Sequence, residues 1–437
     1  MPRINFIHPP EFKKWSRDRK IENAPLPSKV AIHILQHSGA AAEPVVNIGD
    51  RVKTGSLLAS LKGFISSNIH SSISGHVVKI EDVPHPVFGR HRAIIIESDG
   101  RDEKIFPEVN RENSLSLKRE ELLDIIKDAG IVGLGGAMFP THVKLMPPPQ
   151  KKIDTYIVNG AECEPFLSCD HASMLEKANE LILGIDLVAN ILGVKNVMIG
   201  IEENKLDAIE LITAMVNRLN QRMLKFKIVG LKTRYPQGGE KQLIKTLLDR
   251  EVPSGGLPMD VGCIVNNVQT VISIYEAVYV RKPLFERVIT VSGNLLKEPR
   301  NLRVRIGTYI REILEYCGVK EAPYKIIMGG PMTGVAQYTL DVPVIKGTSG
   351  IIVLDNSFKI DKEMDCIRCG RCIEACPMGL MPCMLGLTAK KGRFDMAISY
   401  SPLDCIECGA CSYVCPAKIP LTQYIKLAKM KLAKKNI

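Results

Sequence analysis

Two stretches near the end of the chain constrain it most. "DCIRCGRCIEACP" begins at Asp365, and "DCIECGACSYVCP" begins at Asp404. Each spells C-x2-C-x2-C-x3-C-P. Three thiolates at steps of three can wrap a loop around one face of a [4Fe–4S] cubane, and the fourth cysteine opens a turn that points at the neighbouring cubane. The spacing therefore predicts two clusters with crossed ligands. One takes Cys366, Cys369, Cys372 and Cys415; the other takes Cys405, Cys408, Cys411 and Cys376. Gly370 and Gly409 let the backbone approach the sulfides. Zinc sites also use C-x2-C pairs, but a duplicated set of four closed by C-P fits them poorly. The helix-like spacer between the runs places its methionines and Cys383 against the clusters. Two centres a short hop apart make a relay, so the source of the electrons lies elsewhere in the chain.

The rest of the chain is long enough for further domains: 437 residues exceed one ordinary core. Thirteen cysteines are many for a reducing compartment and point to metal rather than disulfides. Cys163, Cys169, Cys263, Cys317 and Cys383 fall outside the ligand sets. No apolar run is long enough to span a bilayer, and the polar start "MPRINFIHPPEFKKWSRDRK" is unlike a secretory signal. A cytoplasmic protein, or one bound to the cytoplasmic side of something else, is expected. The formal charge of +11 drops to about +7 once two clusters of about −2 each are bound. With 5% aromatic residues and no nucleic-acid motif, nucleic acid is not an expected partner.

Four further segments carry polar groups at strand ends. "GIVGLGGAMFPTHVKL" offers Gly133, Gly135 and Gly136, whose backbone N–H groups can meet a flat ring or a phosphate, with Lys144 behind them. It follows a helical pattern, so it is not the strand–G-x-G-x-x-G–helix fingerprint. "DTYIVNGAECEPF" is an apolar strand ending in Asn159, Glu162 and Glu164. "RYPQGGEKQLI" brings Tyr235, Gly239 and Glu240. "IVNNVQT" brings Asn266, Asn267 and Thr270 to the start of a helix. Carboxyl ends of buried parallel strands are where such folds hold ligands.

These four segments, in this order, resemble the flavoprotein subunit of respiratory complex I and its relatives, with Leu134 where many of them have arginine. The paired cysteine runs, "QHSGAAAEPVVNIGDRVKTGSLLA" and "YPQGGEKQLI" resemble more narrowly the RnfC family, the C component of the ion-translocating ferredoxin:NAD oxidoreductase known as the Rnf complex. The resemblance implies a multidomain α/β and α+β chain. Residues 1–110 form a lipoyl/biotinyl-like β-sandwich, 111–282 a Rossmann-like flavin/NADH domain and 283–355 a β-grasp (soluble-ligand-binding) module. Residues 356–420 form a ferredoxin-like helical domain with two [4Fe–4S] clusters, and 421–437 a basic tail. It implies FMN, NADH as substrate, other Rnf subunits as partners, and a peripheral place on the cytoplasmic side of the membrane with membrane contact through those partners. It also assigns Gly133, Gly135, Gly136, Lys144, Asn159, Glu162, Glu164, Tyr235, Gly239, Glu240, Asn266, Asn267 and Thr270 to flavin or dinucleotide. Glu162 and Glu240 orient the flavin or nicotinamide, and no side chain is required as a catalytic proton shuttle. A soluble corrinoid reductase with the same layout is the alternative.

The sandwich lacks a clear counterpart of the modifiable lysine at its hairpin tip, "FISSNIHS", and is read as structural. His33, His37, His70 and His76 are expected as ordinary core or surface residues. The tail "LTQYIKLAKMKLAKKNI", apolar at Tyr424, Leu427, Met430 and Leu432 and carrying five lysines, is expected either as a basic amphipathic helix lying on a membrane or partner, or as a frayed solvated one.

Overall fold

A computed structural model describes residues 5–106, 117–218 and 224–433. Its centre is a four-stranded parallel sheet in the order Lys225–Leu231, Asn196–Glu202, Thr155–Gly160, Cys263–Asn267. "TYIVNG" is apolar on both faces because helices cover both sides. Helices Ala178–Leu192 and Val268–Val280 pack so closely that a Cβ on Gly184 would lie 2.5 Å from the Val271 carbonyl oxygen. Gly193, at φ 66°, ends the first of them in the left-handed conformation glycine adopts most readily. After Thr155–Gly160 the chain builds the sheet in one direction. It then returns to lay Cys263–Asn267 on the opposite flank. That reversal is a topological switch point, and the crevice outside it opens beside Asn159 and Asn266–Asn267.

Two other sheets make the N-terminal sandwich: Lys29–His33, Gly89–Ser98, Gly75–His85 and Arg51–Val52 in one, and Glu43–Pro44, Leu57–Ser60 and Ile69–His70 in the other. Val30, Ile32, Leu58, Ile69, Ile73, Ile94 and Ile96 fill the space between them. His33, His37 and His70 are buried, while His76 is exposed. Burial lowers the His33 and His37 pKa values to about 4 and that of His70 to about 3. They are neutral members of the interior.

The β-grasp sheet has six strands in the order Ile21–Asn23, Arg300–Arg305, Glu286–Ser292, Gly350–Leu354, Lys325–Met328, Val335–Ala336. Helix Ile310–Cys317 covers it, with Cys317 in the core. Its first strand comes from the N-terminal region, parallel to Arg300–Arg305. Residues before that strand strap the molecule together: Ile7 pairs with Tyr235, Glu11 O accepts from Phe166 N at 2.8 Å, and Phe12 stacks on Phe166. The N-terminal region is therefore divided between the sandwich, the parallel-sheet domain and the six-stranded sheet.

The C-terminal unit repeats itself. Short helices Arg371–Glu374 and Ala410–Tyr413 are preceded by Gly370 (φ 79°) and Gly409 (φ 80°), and Arg368 and Glu407 also have positive φ. In the tail, Leu427 and Met430 of the expected apolar face are exposed, and a different face is buried. Helix Leu421–Ala433 buries Leu421, Ile425, Ala428 and Leu432 against its own domain, with helix Pro382–Lys390 as its main neighbour. Among the described residues no helix is long and apolar enough to cross a membrane.

Candidate cofactor sites

The glycine-rich loop lies over the switch point. Leu134 N donates to Thr270 Oγ1 at 2.9 Å, and Leu134 O accepts from Arg287 at 3.3 Å. Gly135, Gly136 and Ala137 are exposed between these fixings, so their backbone forms an open floor. A Cβ on Gly135 would sit 3.2 Å from Asn267 Cβ; one on Gly136 would meet only open space, but φ there is +107°. The two glycines are thus needed for different reasons, close approach and backbone conformation. Gly133 has ordinary room around it, with Phe139 3.7 Å away. The sandwich reaches the same loop: Ser38 Oγ donates to Ala137 O at 2.9 Å and Ser38 N to Met138 O at 3.0 Å. Behind the floor, Lys144 Nζ meets Glu240 Oε1 at 2.6 Å.

Several residues expected at the cofactor hold the frame instead. Asn159 Nδ2 donates to Gly238 O (2.8 Å) and its Oδ1 accepts from Ala161 N. Glu162 accepts from Asp170 N (2.7 Å) at the start of helix Cys169–Glu176, and Lys13 Nζ lies 3.8 Å from its other oxygen. Glu164 accepts from Met332 N (3.1 Å), Thr333 N (2.9 Å) and Thr333 Oγ1, tying the strand end to the β-grasp module. Tyr235 is buried, and its hydroxyl donates to Cys408 O at 2.6 Å. Gly239 precedes helix Glu240–Leu248 as its N-cap. Asn267 caps helix Val268–Val280 through Gln269 N.

What the crevice leaves open fits a flat polar ligand. Asn266 Oδ1 is buried without a hydrogen-bond partner among the described residues, a costly state that a ligand N–H would relieve. Asp170, which the sequence reading missed, completes the wall. It accepts from Asn267 Nδ2 (2.6 Å) and Gln269 Nε2 (2.8 Å), and burial together with the Glu162 charge raises its pKa to about 6. Arg287 was missed too. Nothing local in "ERVITVS" shows that its guanidinium reaches a loop about 150 residues away.

Cys376 lines one cavity with Cys405, Cys408 and Cys411. Cys366, Cys372 and Cys415 share one apolar cluster with Cys405 and Cys411, with Cys383 against Cys372; Cys369 is exposed. Burial pushes the Cys405 thiol up to about 11 and Cys408 to about 12. Converging buried thiols suit a soft metal, which displaces their protons on binding. Among the described residues the one group that brings three potential ligand atoms within 4.8 Å of one another is Glu162, Cys169 and Asp170. Backbone and side-chain N–H groups already engage its carboxylates.

Fold and sites together define an electron-transfer flavoprotein with iron–sulfur centres. Family models match along the chain: the RnfC barrel sandwich hybrid domain over residues 5–101, the Nuo51 FMN-binding domain over 126–276, the SLBB domain over 288–336 and the 4Fe-4S dicluster domain over 365–419. The chain is 51% identical to the C component of the proton-translocating ferredoxin:NAD(+) oxidoreductase complex of Clostridium ljungdahlii, over 97% of this chain and 92% of that one. It is 41% identical to the C component of the Na(+)-translocating ferredoxin:NAD(+) oxidoreductase complex of Acetobacterium woodii, over 98% and 96%. It is 42% identical to the C component of the ion-translocating oxidoreductase complex of Rhodobacter capsulatus, over 98% and 83%. The chain belongs to the RnfC family. An NAD+-reducing [NiFe]-hydrogenase in its H2-reduced state shares the fold at a TM-score of 0.52 and 16% identity, covering 75% of this chain and 63% of that one.

Proposed function

We infer that this chain is the RnfC electron-transfer component of an ion-translocating ferredoxin:NAD(+) oxidoreductase. It passes electrons between NADH and the other components of that complex. The observation that carries the flavin part is the exposed Gly135–Ala137 floor beside Asn267, at the switch point where the neighbouring Asn266 Oδ1 is buried and unpaired. Bound there, FMN supplies a ring that accepts hydride and releases electrons singly. The chain's own residues hold and orient. Gly135 and Gly136 present the floor, Asn266 accepts from the ring edge, and Lys144, steadied by Glu240, supplies the cation for the phosphate. Thr270 and Asn159 keep the loops in place. Cys366, Cys369, Cys372 and Cys415 hold one [4Fe–4S] cluster, and Cys376, Cys405, Cys408 and Cys411 the other. Likeness to RnfC relatives over nearly the whole chain supports this reading over a soluble corrinoid reductase. We place the chain peripherally on the cytoplasmic side of the membrane, held there by its partners in the complex.

The test is anaerobic purification with iron, sulfide and flavin counted together, followed by titration with NADH. About eight irons and one FMN per chain are expected, with the flavin bleached by NADH. Zinc in place of iron, or a flavin that NADH leaves oxidised, would refute the reading.

A further inference from the structure

The two cysteine runs are alike in sequence and unlike in surroundings. The second is seated on the flavin-type domain. Tyr235 Oη donates to Cys408 O (2.6 Å), and Ser254 Oγ and Gly255 N donate to the Asp404 carboxylate (2.5 and 3.1 Å). Met378, two residues after Cys376, accepts from Gln242 Nε2 at 3.2 Å. The β-grasp module closes in from another side: a Cβ on Gly409 would lie 2.5 Å from Met332 O, and φ there is +80°. Gly409, Ala410 and Cys411 are buried in consequence.

The first run faces outward. Ile367 is 69% exposed, and Arg368, Cys369 and Arg371 are exposed. The bond from Met364 N to Ala417 O and the contact of Cys372 with Cys383 stay inside the C-terminal unit. Between the flavin crevice and the second run lies the short loop Tyr235 to Gly239, with Cys163 packed in the same cluster as Tyr235 and Cys408. Its Gly238 is bound at one end by Asn159 (2.8 Å) and by the Cys163 sulfur (3.3 Å), and its Tyr235 grips Cys408 at the other.

We propose that Cys376, Cys405, Cys408 and Cys411 form the inner station of the relay and Cys366, Cys369, Cys372 and Cys415 the outer one, and that Tyr235 is the positioning residue that fixes the inner station against the flavin crevice. The assignment rests on the flavin reading above. One NADH yields a hydride, two electrons and a proton. The proton stays on the flavin side and leaves to solvent, while the electrons cross the Tyr235 loop one at a time, each lowering the inner and then the outer station by one oxidation equivalent.

The experiment uses full-length, anaerobically loaded protein, rapid mixing with NADH, and electron paramagnetic resonance of freeze-quenched samples, with dithionite as the measure of total reducible centre. In Cys369→Ala the surviving inner centre is expected to be reduced by NADH as in wild type. In Cys408→Ala the surviving outer centre is expected to be reduced by dithionite but more than an order of magnitude more slowly by NADH. The reverse pattern overturns the order. Tyr235→Phe removes only the hydroxyl. It is expected to lengthen the lag between flavin bleaching and inner-centre reduction several-fold, leaving the dithionite-reduced spectrum unchanged; an unaltered lag overturns the positioning role even if the cysteine variants load poorly. Wild-type flavin that NADH cannot reduce overturns the function proposed above, and this inference with it. Wild-type flavin that is reduced while the outer centre responds first overturns the relay order alone.

Discussion

Glu164 separates two accounts of the site. Sequence resemblance puts it on the cofactor; the structure gives its carboxylate to Met332 N, Thr333 N and Thr333 Oγ1. The fit is close enough that a Cβ on Gly330 would meet Glu164 Oε2 at 2.2 Å. Consider Glu164→Ala. Hydrogen bonds to a charged group contribute about 1.5–3 kcal/mol each when both partners are sheltered. Thr333 is exposed and can turn to water, so only the half-buried Met332 amide is left without a partner. Burial itself raises the Glu164 pKa, so part of the gain is offset by desolvation. The net cost is then about 1–3 kcal/mol, or a fall of roughly 2–12 °C in the melting temperature of a unit of 150–250 residues. Glu164→Gln keeps an acceptor and should recover about half. The assay is thermal unfolding of the loaded protein under anaerobic conditions, with flavin counted after gel filtration. An unchanged melting temperature together with lost flavin would refute the clamp and return Glu164 to the cofactor.

Gly135→Val adds a branched side chain whose Cβ starts 3.2 Å from Asn267 and displaces that residue from Asp170. Overpacking of about 1–3 kcal/mol should weaken flavin binding roughly 5- to 150-fold with iron content unchanged; flavin retained at full occupancy would show the loop to be only a turn. The sandwich should be acid-sensitive. Burial lowers the pKa values of His33, His70 and His85 from 6.5 to about 4, 3 and 3. The unfolded chain therefore binds more protons below pH 6.5, and stability present above that pH is lost as pH falls towards 4. At pH 5.5 each histidine costs about 1.4 kcal/mol. Hydrogen exchange in strands Lys29–His33 and Gly89–Ser98, corrected for intrinsic rates, should accelerate from pH 7.5 to pH 5.5; equal protection at both would contradict the argument.

What the sequence made legible was local chemistry. The iron–sulfur character of residues 365–419 could be read because cluster spacing is written within a few residues. The sequence pattern puts the tail's apolar face at Tyr424, Leu427, Met430 and Leu432, yet Leu427 and Met430 are exposed and the helix packs on its own domain through Leu421, Ile425 and Ala428, because a spacing of apolar residues does not say which face finds a partner. The roles inside the flavin crevice were harder to read. Thr270, Asn159 and Glu164 were expected on the cofactor, yet each bonds to backbone from a distant segment. No periodicity records a partner at that separation. Strand Ile21–Asn23 is three residues long, too short to declare itself, and exists because Arg300–Arg305 offers it a sheet edge.

The same long-range bonds explain why a sandwich without a carrier lysine sits on a flavin-type domain. A loop with three glycines loses much conformational entropy when it is ordered, and an open floor cannot supply the packing to offset that loss. The fixings come from outside. Lys346 of the β-grasp region, buried with its pKa lowered to about 7, donates to Asn68 O of the sandwich and to Gly130 O at the loop's entry, both at 2.7 Å. Arg287 holds Leu134, and Ser38 of the sandwich holds Ala137 and Met138. Each fixing takes one backbone group of the loop and leaves Gly135 and Gly136 free, so the loop is ordered before any ligand arrives. On this argument the sandwich contributes to the flavin site by position rather than by chemistry. Ser38→Ala should loosen the 137–138 end of the loop and weaken flavin binding, measured as flavin retained after gel filtration, without touching either cysteine set.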